Sequence, residues 1–437
     1  ANAENRRSAA GSGAGPRRAA EYAAIASIPL VLVLGNSMLV PILPDLQREL
    51  GVDEFRGSLV ITLFSVTAGV FIPFIGFLSD RYGRKAIIAP ALALYGAAGI
   101  LAGLGAVWGS YPTVIAARAL QGLGAAGTAP IAMALVGDMY RGGTESKVLG
   151  LTEAANGFGK VLSPILGAAL ALIVWYAPFF AFPAFCGLSL LAVLFWIKEP
   201  KDTAARKQRI KDYVRNLGDI FRGKGRWLVT SFFAGSLGLF TLFGILFYLS
   251  EILEKKPYQL DGVVKGLVLA IPLAGLVVTS YTTGALIKKN GTLIRRLINI
   301  GLALSTLSLA LTLVWNKDHL VLFMTLITLS SVGTGLLLPC LNTMITGSVR
   351  KSQRGVIASI YNSLRFLGVA AGPPLISALM EWRERSVFIL LAALAGLAFV
   401  LVLLFVRPEG NLAQAEEGEP AGRPKAGGAR APRPNPG

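Results

Sequence analysis

Long apolar runs alternate with short polar joints along the whole chain. The runs lie at about 23–43, 57–78, 87–107, 112–136, 148–171, 175–197, 228–250, 263–287, 293–314, 320–345, 355–380 and 386–406. Each is long enough to cross roughly 30 Å of hydrocarbon. Lipid offers no partner to a bare peptide group, so each run is predicted to be a helix. The pattern therefore predicts an all-α membrane protein with twelve transmembrane helices. One long polar segment, 198–226, follows the sixth run and divides the helices six and six.

The two sets of six echo each other at a nearly constant offset. Arg56-Gly57 opens the second run as Lys265-Gly266 opens the eighth, and GFLSDRYG (76–83) matches GALIKKNG (284–291). Gly124 and Pro130 in the fourth run match Gly333 and Pro339 in the tenth. GKVLSPILG (159–167) in the fifth aligns with GVAAGPPLI (368–376) in the eleventh. Duplicated units of this kind build two pseudo-symmetric bundles that rock about a site near the bilayer midplane. The expected organisation is a disordered cytoplasmic tail (1–21), a six-helix bundle (22–197), a basic linker (198–226), a second bundle (227–406) and a disordered cytoplasmic tail (407–437).

Charge fixes an orientation. The chain is 54% apolar and 15% charged, well below the roughly 25% charge of soluble domains. Its net charge of +18 is unevenly spread. Roughly three quarters of the Lys and Arg lie on the side holding both termini and the linker, and the opposite side is slightly acidic. That asymmetry places both termini in the cytoplasm and the chain in the plasma membrane. The basic excess then reports topology and contact with anionic lipid, not nucleic acid, since no aromatic-basic module accompanies it. Residues 1–21 read as a cytoplasmic tail, not a signal peptide.

Ten residues break the apolar monotony most sharply. GFLSDRYGRK (76–85) puts Asp80, Arg81, Arg84 and Lys85 around two glycines. Gly76 allows a close helix approach and Gly83 a tight reversal. An anion at Asp80 suits the N-terminus of a neighbouring helix, where orphan N–H groups and the dipole favour negative charge. This stretch resembles the signature between helices two and three of the major facilitator superfamily. RALQGLGAAG (118–127) is similar to the helix-four signature of its drug:proton antiporter branch. GKVLSPILG resembles that branch's helix-five signature, with Ser163 at a usual glycine; the eleventh run keeps its counterpart as Gly372. The resemblance spans about residues 22–406. It implies a cytoplasmic gating latch of Gly76, Asp80, Gly83, Arg84 and Asp138, with Asp80 against the start of the eleventh span and Arg84 paired to Asp138. It also implies that the smooth face of the fifth span (Gly159, Ser163, Pro164, Gly167) packs on the eighth, with Gly368, Gly372 and Pro373 as the second copy.

Ionisable groups at membrane depth are costly, by roughly 2.5–3.5 kcal/mol for a lone charge, and so mark function. Four lie well away from the ends of their runs: Arg118, Glu153, Lys160 and Arg365. Glu153, Asn156 and Lys160 share one helical stripe, and Asn362 and Arg365 repeat the positions of Glu153 and Asn156 in the second copy. With Asn36 they form the expected substrate cavity. Glu153, beside Arg118 or Lys160, is the expected proton-coupling carboxylate, together with Asp80; a structural ion pair is the alternative. Three cations against one acid favour anionic or zwitterionic amphiphiles.

Gly122, Gly124 and Gly127 spell GxGxxG, but inside an apolar run without a βαβ frame they serve helix packing. Cys186, Cys340 and His319 are too scattered for a metal site. The expected function is a monomeric secondary transporter, not an enzyme, with no cofactor beyond the proton gradient. It exports small amphipathic molecules in exchange for protons. A lipid flippase, a dedicated metabolite or siderophore exporter, and a non-transporting receptor or scaffold are the alternatives.

Overall fold

The computed structural model describes residues 14–140, 142–199, 210–287, 290–314, 319–348 and 354–408. They form fourteen α-helices: α1 (Ala14–Ser37), α2 (Leu43–Leu50), α3 (Glu54–Tyr82), α4 (Arg84–Val107), α5 (Tyr111–Ala126), α6 (Ala129–Met139) and α7 (Gly142–Ala171). After these come α8 (Ala177–Trp196), α9 (Ile210–Leu253), α10 (Gly262–Ile287), α11 (Gly291–Leu311), α12 (Leu320–Gly347), α13 (Arg354–Arg383) and α14 (Arg385–Phe405). The second, fifth, seventh, eighth and eleventh predicted spans are α3, α7, α9, α10 and α13. Eleven spans among the described residues are long and apolar enough to cross a membrane. The fifth, α7, has 30 residues but is not among them, because Glu153, Asn156 and Lys160 dilute its apolar run.

Local chemistry sets the helix ends. Asp53 caps α3 by accepting from the Arg56 N–H at 2.7 Å, and Asn290 caps α11 through the Leu293 N–H at 3.1 Å, satisfying orphan donors. The fourth predicted span is not one rod. It breaks between α5 and α6 at Gly127-Thr128, just before Pro130, which has no N–H to give and whose ring obstructs the preceding turn. The expected tail and linker also carry more helix than predicted. The α1 helix starts at Ala14 and α9 at Ile210, where Val214, Leu217 and Phe221 recur at helical spacing. The rest of the two tails and of the linker lies outside the described residues.

Packing repeats in both halves. A side chain at Gly167 would sit 2.0 Å from the Met38 carbonyl beyond α1, and one at Gly159 2.8 Å from Leu30. The second copy does the same: Gly368 and Gly372 lie against the Ser236 and Phe240 carbonyls of α9. Within the implied face of the fifth span, Gly159 and Gly167 meet α1 and its continuation, whereas Pro164 meets the eighth span as the resemblance implied. The eighth span, α10, is met by the adjoining face: Gly157 touches Val277, and Pro164 and Ala168 cover Gly266. The geometric reason is rotation, since residues one or two positions away from the glycines of the stripe point toward a different neighbour. Between halves, α3 runs along α13, with Thr62 Oγ1 donating to the Ala370 carbonyl at 2.7 Å. Gly69 lies 3.1 Å from Leu367 by the same Cβ measure, and Gly76 meets Ser359. Small residues let backbones approach where no hydrophobic force drives helices together. The two seams, α3–α13 and α7–α10, join the bundles.

Candidate functional site

Two ends must be distinguished. The linker end carries the α3–α4 loop and the start of α9; the far end carries α2 and the α9–α10 connection. At the linker end, Gly83 has φ of +104° and is the one residue between α3 and α4. Arg84 is the hub there. Its guanidinium reaches Asp138 at 2.9 Å, Asp80 at 2.5 Å and the Ser79 hydroxyl at 2.6 Å. The carboxylate that does sit on a helix N-terminus is Glu199, accepting from the Arg84 and Lys85 N–H groups at 2.7 and 3.0 Å. Asp80 is 47% exposed and engaged by Arg84, within its own half. The resemblance implied a contact of Asp80 with the start of the eleventh span (α13); among the described residues Asp80 forms no hydrogen bond or ion pair with that helix and is held by Arg84 instead.

Arg118 is fully buried, yet faces its own bundle. Nε donates to the Val60 carbonyl at 2.9 Å, one terminal nitrogen to Gln121 at 2.7 Å and the other to Asn36 at 2.6 Å. The guanidinium lies 4.5 Å from the Phe64 ring centroid. Asn36 in turn donates to Ser65 at 2.9 Å. Neutral acceptors and an aromatic face hold this cation, so Arg118 and Asn36 lock α1, α3 and α5 together instead of lining a cavity. Glu153 is accordingly not paired with Arg118.

Glu153 is exposed, and Asn156 and Lys160 are half-buried on the same stripe of α7. Lys160 stands on α7 in the first half and Arg365 on α13 in the second, both half-buried. Arg365 lies 5.5 Å from the Tyr361 ring centroid and makes a long contact of 3.4 Å to Asn362. Its Nε is buried without a partner. No ion pair within 4.0 Å among the described residues includes Glu153, Lys160 or Arg365.

The far end holds what local sequence reading passed over as ordinary loops. Gln47 of α2 donates to buried Glu251 of α9 at 2.6 Å, and Arg48 pairs with Glu254 at 2.8 Å. Lys255 pairs with Glu54 at 2.7 Å. Lys265, 2% exposed, pairs with Glu254 at 2.9 Å and donates to the Pro41 carbonyl at 2.8 Å. Ser250 donates to the Val40 carbonyl at 2.6 Å. Apart from Lys265–Glu254, every one of these contacts crosses between halves. Burial pushes the Glu254 carboxyl up, but Lys265 and Arg48 together outweigh it and hold it below the usual range. Burial pulls Lys255 down, and its bond to Glu54 outweighs that, leaving it raised. A signal did exist in the sequence: Asp45 and Glu254 stand at the repeat offset, as do Arg56 and Lys265. Charges repeated at the matching end of both copies are placed to meet when the copies face each other.

Comparison with known proteins agrees with this architecture. The family model described as Major Facilitator Superfamily matches residues 25–294 and 253–436. The chain is 43% identical over 387 residues to the bacillibactin exporter of Bacillus subtilis (strain 168), covering 88% of this chain and 95% of that one. It is 28% identical over 385 residues to the multidrug efflux protein YfmO of the same organism, covering 88% and 92%. Among solved structures, the human organic anion transporter MFSD10 (TETRAN) superimposes with a TM-score of 0.68 at 22% identity, covering 89% of this chain and 99% of that one. The chain therefore belongs to the Major Facilitator Superfamily and is a multi-pass membrane transporter of the exporter kind, not an enzyme.

Proposed function

We propose that this transporter exports a small amphipathic metabolite in exchange for protons, by alternating access, from the plasma membrane with both termini in the cytoplasm. The observation that carries this reading is the asymmetry of its charges. At the far end, ion pairs cross between the bundles; at the linker end, the Arg84 cluster stays inside one. Such an arrangement belongs to a rocking pair of bundles closed at one face. The positive-inside bias makes the closed face the outer one, so the described state gives access from the cytoplasm, where cargo for export is taken up. A dedicated metabolite or siderophore exporter is favoured over broad drug export, because the 43% identical relative exports one named compound and the multidrug relative shares only 28%.

Glu153 is the proton carrier in this reading. Its carboxylate is exposed and shares one helical stripe with Lys160, the placement a proton carrier needs. Asp80, held by Arg84, links the loop to that cycle. The test is proton movement on addition of bacillibactin to proteoliposomes with an imposed pH gradient. Wild-type protein is expected to dissipate the gradient in step with uptake, and Glu153→Gln to lose coupling at least about tenfold with unchanged expression. Asp80→Asn is expected to slow turnover and keep coupling. Full proton coupling in Glu153→Gln would remove Glu153 from the mechanism.

A further inference from the structure

One carboxylate of the far-end seal is left without a cation. The ion pairs there use Arg48, Lys255 and Lys265, and each is taken by another acid. Arg48 holds Asp45 and Glu254, Lys255 holds Glu54, and Lys265 holds Glu254. Glu251 forms no ion pair among the described residues. It is 3% exposed, in the last turn of α9 and four residues before Lys255. Its hydrogen-bond donor, at 2.6 Å, is the neutral amide of Gln47 from the other bundle. An ionised carboxylate enclosed in this way lacks both water and a counter-charge, a deficit that its protonated form does not share.

The packing places Glu251 where the two bundles meet. Ser250 beside it donates to the Val40 carbonyl of the first bundle at 2.6 Å. Gln47 lies over Gly57 of α3, where any side chain would come within 2.6 Å of its amide nitrogen; the small residue makes room for the amide. Gln47 also lines a cavity of about 550 Å³ together with Glu54, Lys255, Glu381 and Glu384. Arg48, Asp53 and Glu381 on the same wall are exposed, so far-end solvent reaches Gln47 but not the carboxylate behind it. The charged surroundings of Glu251 are Asp45 and Arg48 on α2, Glu54 on α3, Glu254 and Lys255 on its own stretch of chain, and Lys265 on α10. Glu381 and Glu384 stand across the cavity. Carboxylates outnumber cations in this set, which further favours an uncharged Glu251.

We infer that Glu251 is a protonation switch in the outer seal: it takes one proton from the outside as the far end closes and returns it to the same side as the far end opens. This deepens the exporter reading and rests on it for its sidedness. Opening carries Gln47 away with the first bundle and exposes the carboxyl to external water, where the ionised form is solvated. Closing removes that water, and the neutral acid sits beside the Gln47 amide without a counter-ion. The proton of this switch never reaches the linker side, so it is distinct from the one that Glu153 carries across. A group that holds its proton in the sealed state stabilises that state at low pH and loses this effect as pH rises. External acid then favours return of the empty transporter to its cytoplasm-facing state, and external alkali favours opening of the far end.

The experiment uses the full chain without cargo in phosphatidylcholine nanodiscs, with spin labels at Phe55 and Lys256, and reads the distance across the far end from about pH 5 to about pH 9. The sealed distance is expected to dominate up to about pH 7. A longer distance is expected to gain above that, the sealed-to-open ratio changing by at most about tenfold per pH unit, the limit for one proton. Glu251→Gln, uncharged at every pH, is expected to stay sealed to the alkaline end. Gln47→Lys, which gives the carboxylate a cation from the other bundle, is expected to do the same. Populations of the wild-type chain that do not change over the whole range overturn the switch. So does a Glu251→Gln variant that opens with alkali as the wild type does. If Glu251→Gln fails to fold, the wild-type and Gln47→Lys series still decide, since equal alkaline opening in both overturns the switch. Proton-coupled export is measured separately in proteoliposomes. Coupled export with a pH-insensitive seal overturns the switch alone; a seal that responds to pH through Glu251 without coupled export supports the switch and overturns the exchange reading.

Discussion

The Arg84 cluster and the far-end cluster use the same residue types to opposite purpose. Arg84 gathers Asp80, Asp138 and Ser79 from one bundle, so it stiffens that bundle whichever way the molecule leans. Arg48, Lys255, Lys265, Glu54 and Glu254 join two bundles, so they exist in one lean only. Ion pairs within a rigid body are structural, and ion pairs between rigid bodies are conformational. The difference is decided by which helices the partners stand on, not by their spacing in sequence.

The largest effect expected from this contrast is at Lys265. Lys265→Met removes a buried cation that holds both Glu254 and the Pro41 carbonyl, and losing one partner of such a pair costs about 3 kcal/mol. The Glu254 contact lies within the second bundle, and the Pro41 contact is the part of the loss that falls on the sealed state. Spin labels at Phe55 and Lys256, on opposite halves, should then report a longer distance across the far end; an unchanged distance distribution would contradict the assignment of the seal. Arg84→Gln should cost about 2 kcal/mol from its charge-assisted bonds, seen as a lower thermal denaturation temperature. The same spin-label distance should stay where it was. Movement of the far end in that variant would erase the distinction between the clusters.

The smallest effect is with pH. Glu254 is depressed, so its contribution to the seal is present above the ordinary carboxylate value of about 4.3 and is lost only as pH falls through its lower value. Lys255 is raised, so its contribution is present below the ordinary lysine value of about 10.4 and is lost as pH rises through its higher one. The Glu254 carboxylate should therefore stay ionised as the outside is acidified from pH 7 to 5, and the spin-label distance should hold over that range. Opening already complete at pH 5 would show that another group governs the seal.

How much of this was readable beforehand follows from the range of each interaction. Helices were readable because lipid leaves a long apolar run no other option. The duplication was readable because glycines at Gly159, Gly167, Gly368 and Gly372 recur in register, and the structure gives both copies the same carbonyl-contacting role. Periodicity, however, names a stripe without naming its neighbour. That is why the glycines of the fifth span were assigned to the wrong helix, and why Arg118 was placed in a cavity when its acceptors were Val60, Gln121 and Asn36. The far-end seal was invisible for a related reason. LPDLQREL and SEILEKKP each read as solvated loops, and only the meeting of two remote segments turns them into a contact. The break at Thr128 was hidden by apolarity on both sides of it, although Gly127 and Pro130 were in view.

Glu199 has a mechanical consequence. It is the last described residue before the connection between the bundles, and its carboxylate clasps the first two amides of α4. A pull on Glu199 is therefore delivered to the start of α4, within the first bundle. The residue that leads out of the first bundle is thus fastened to that bundle by two backbone amides.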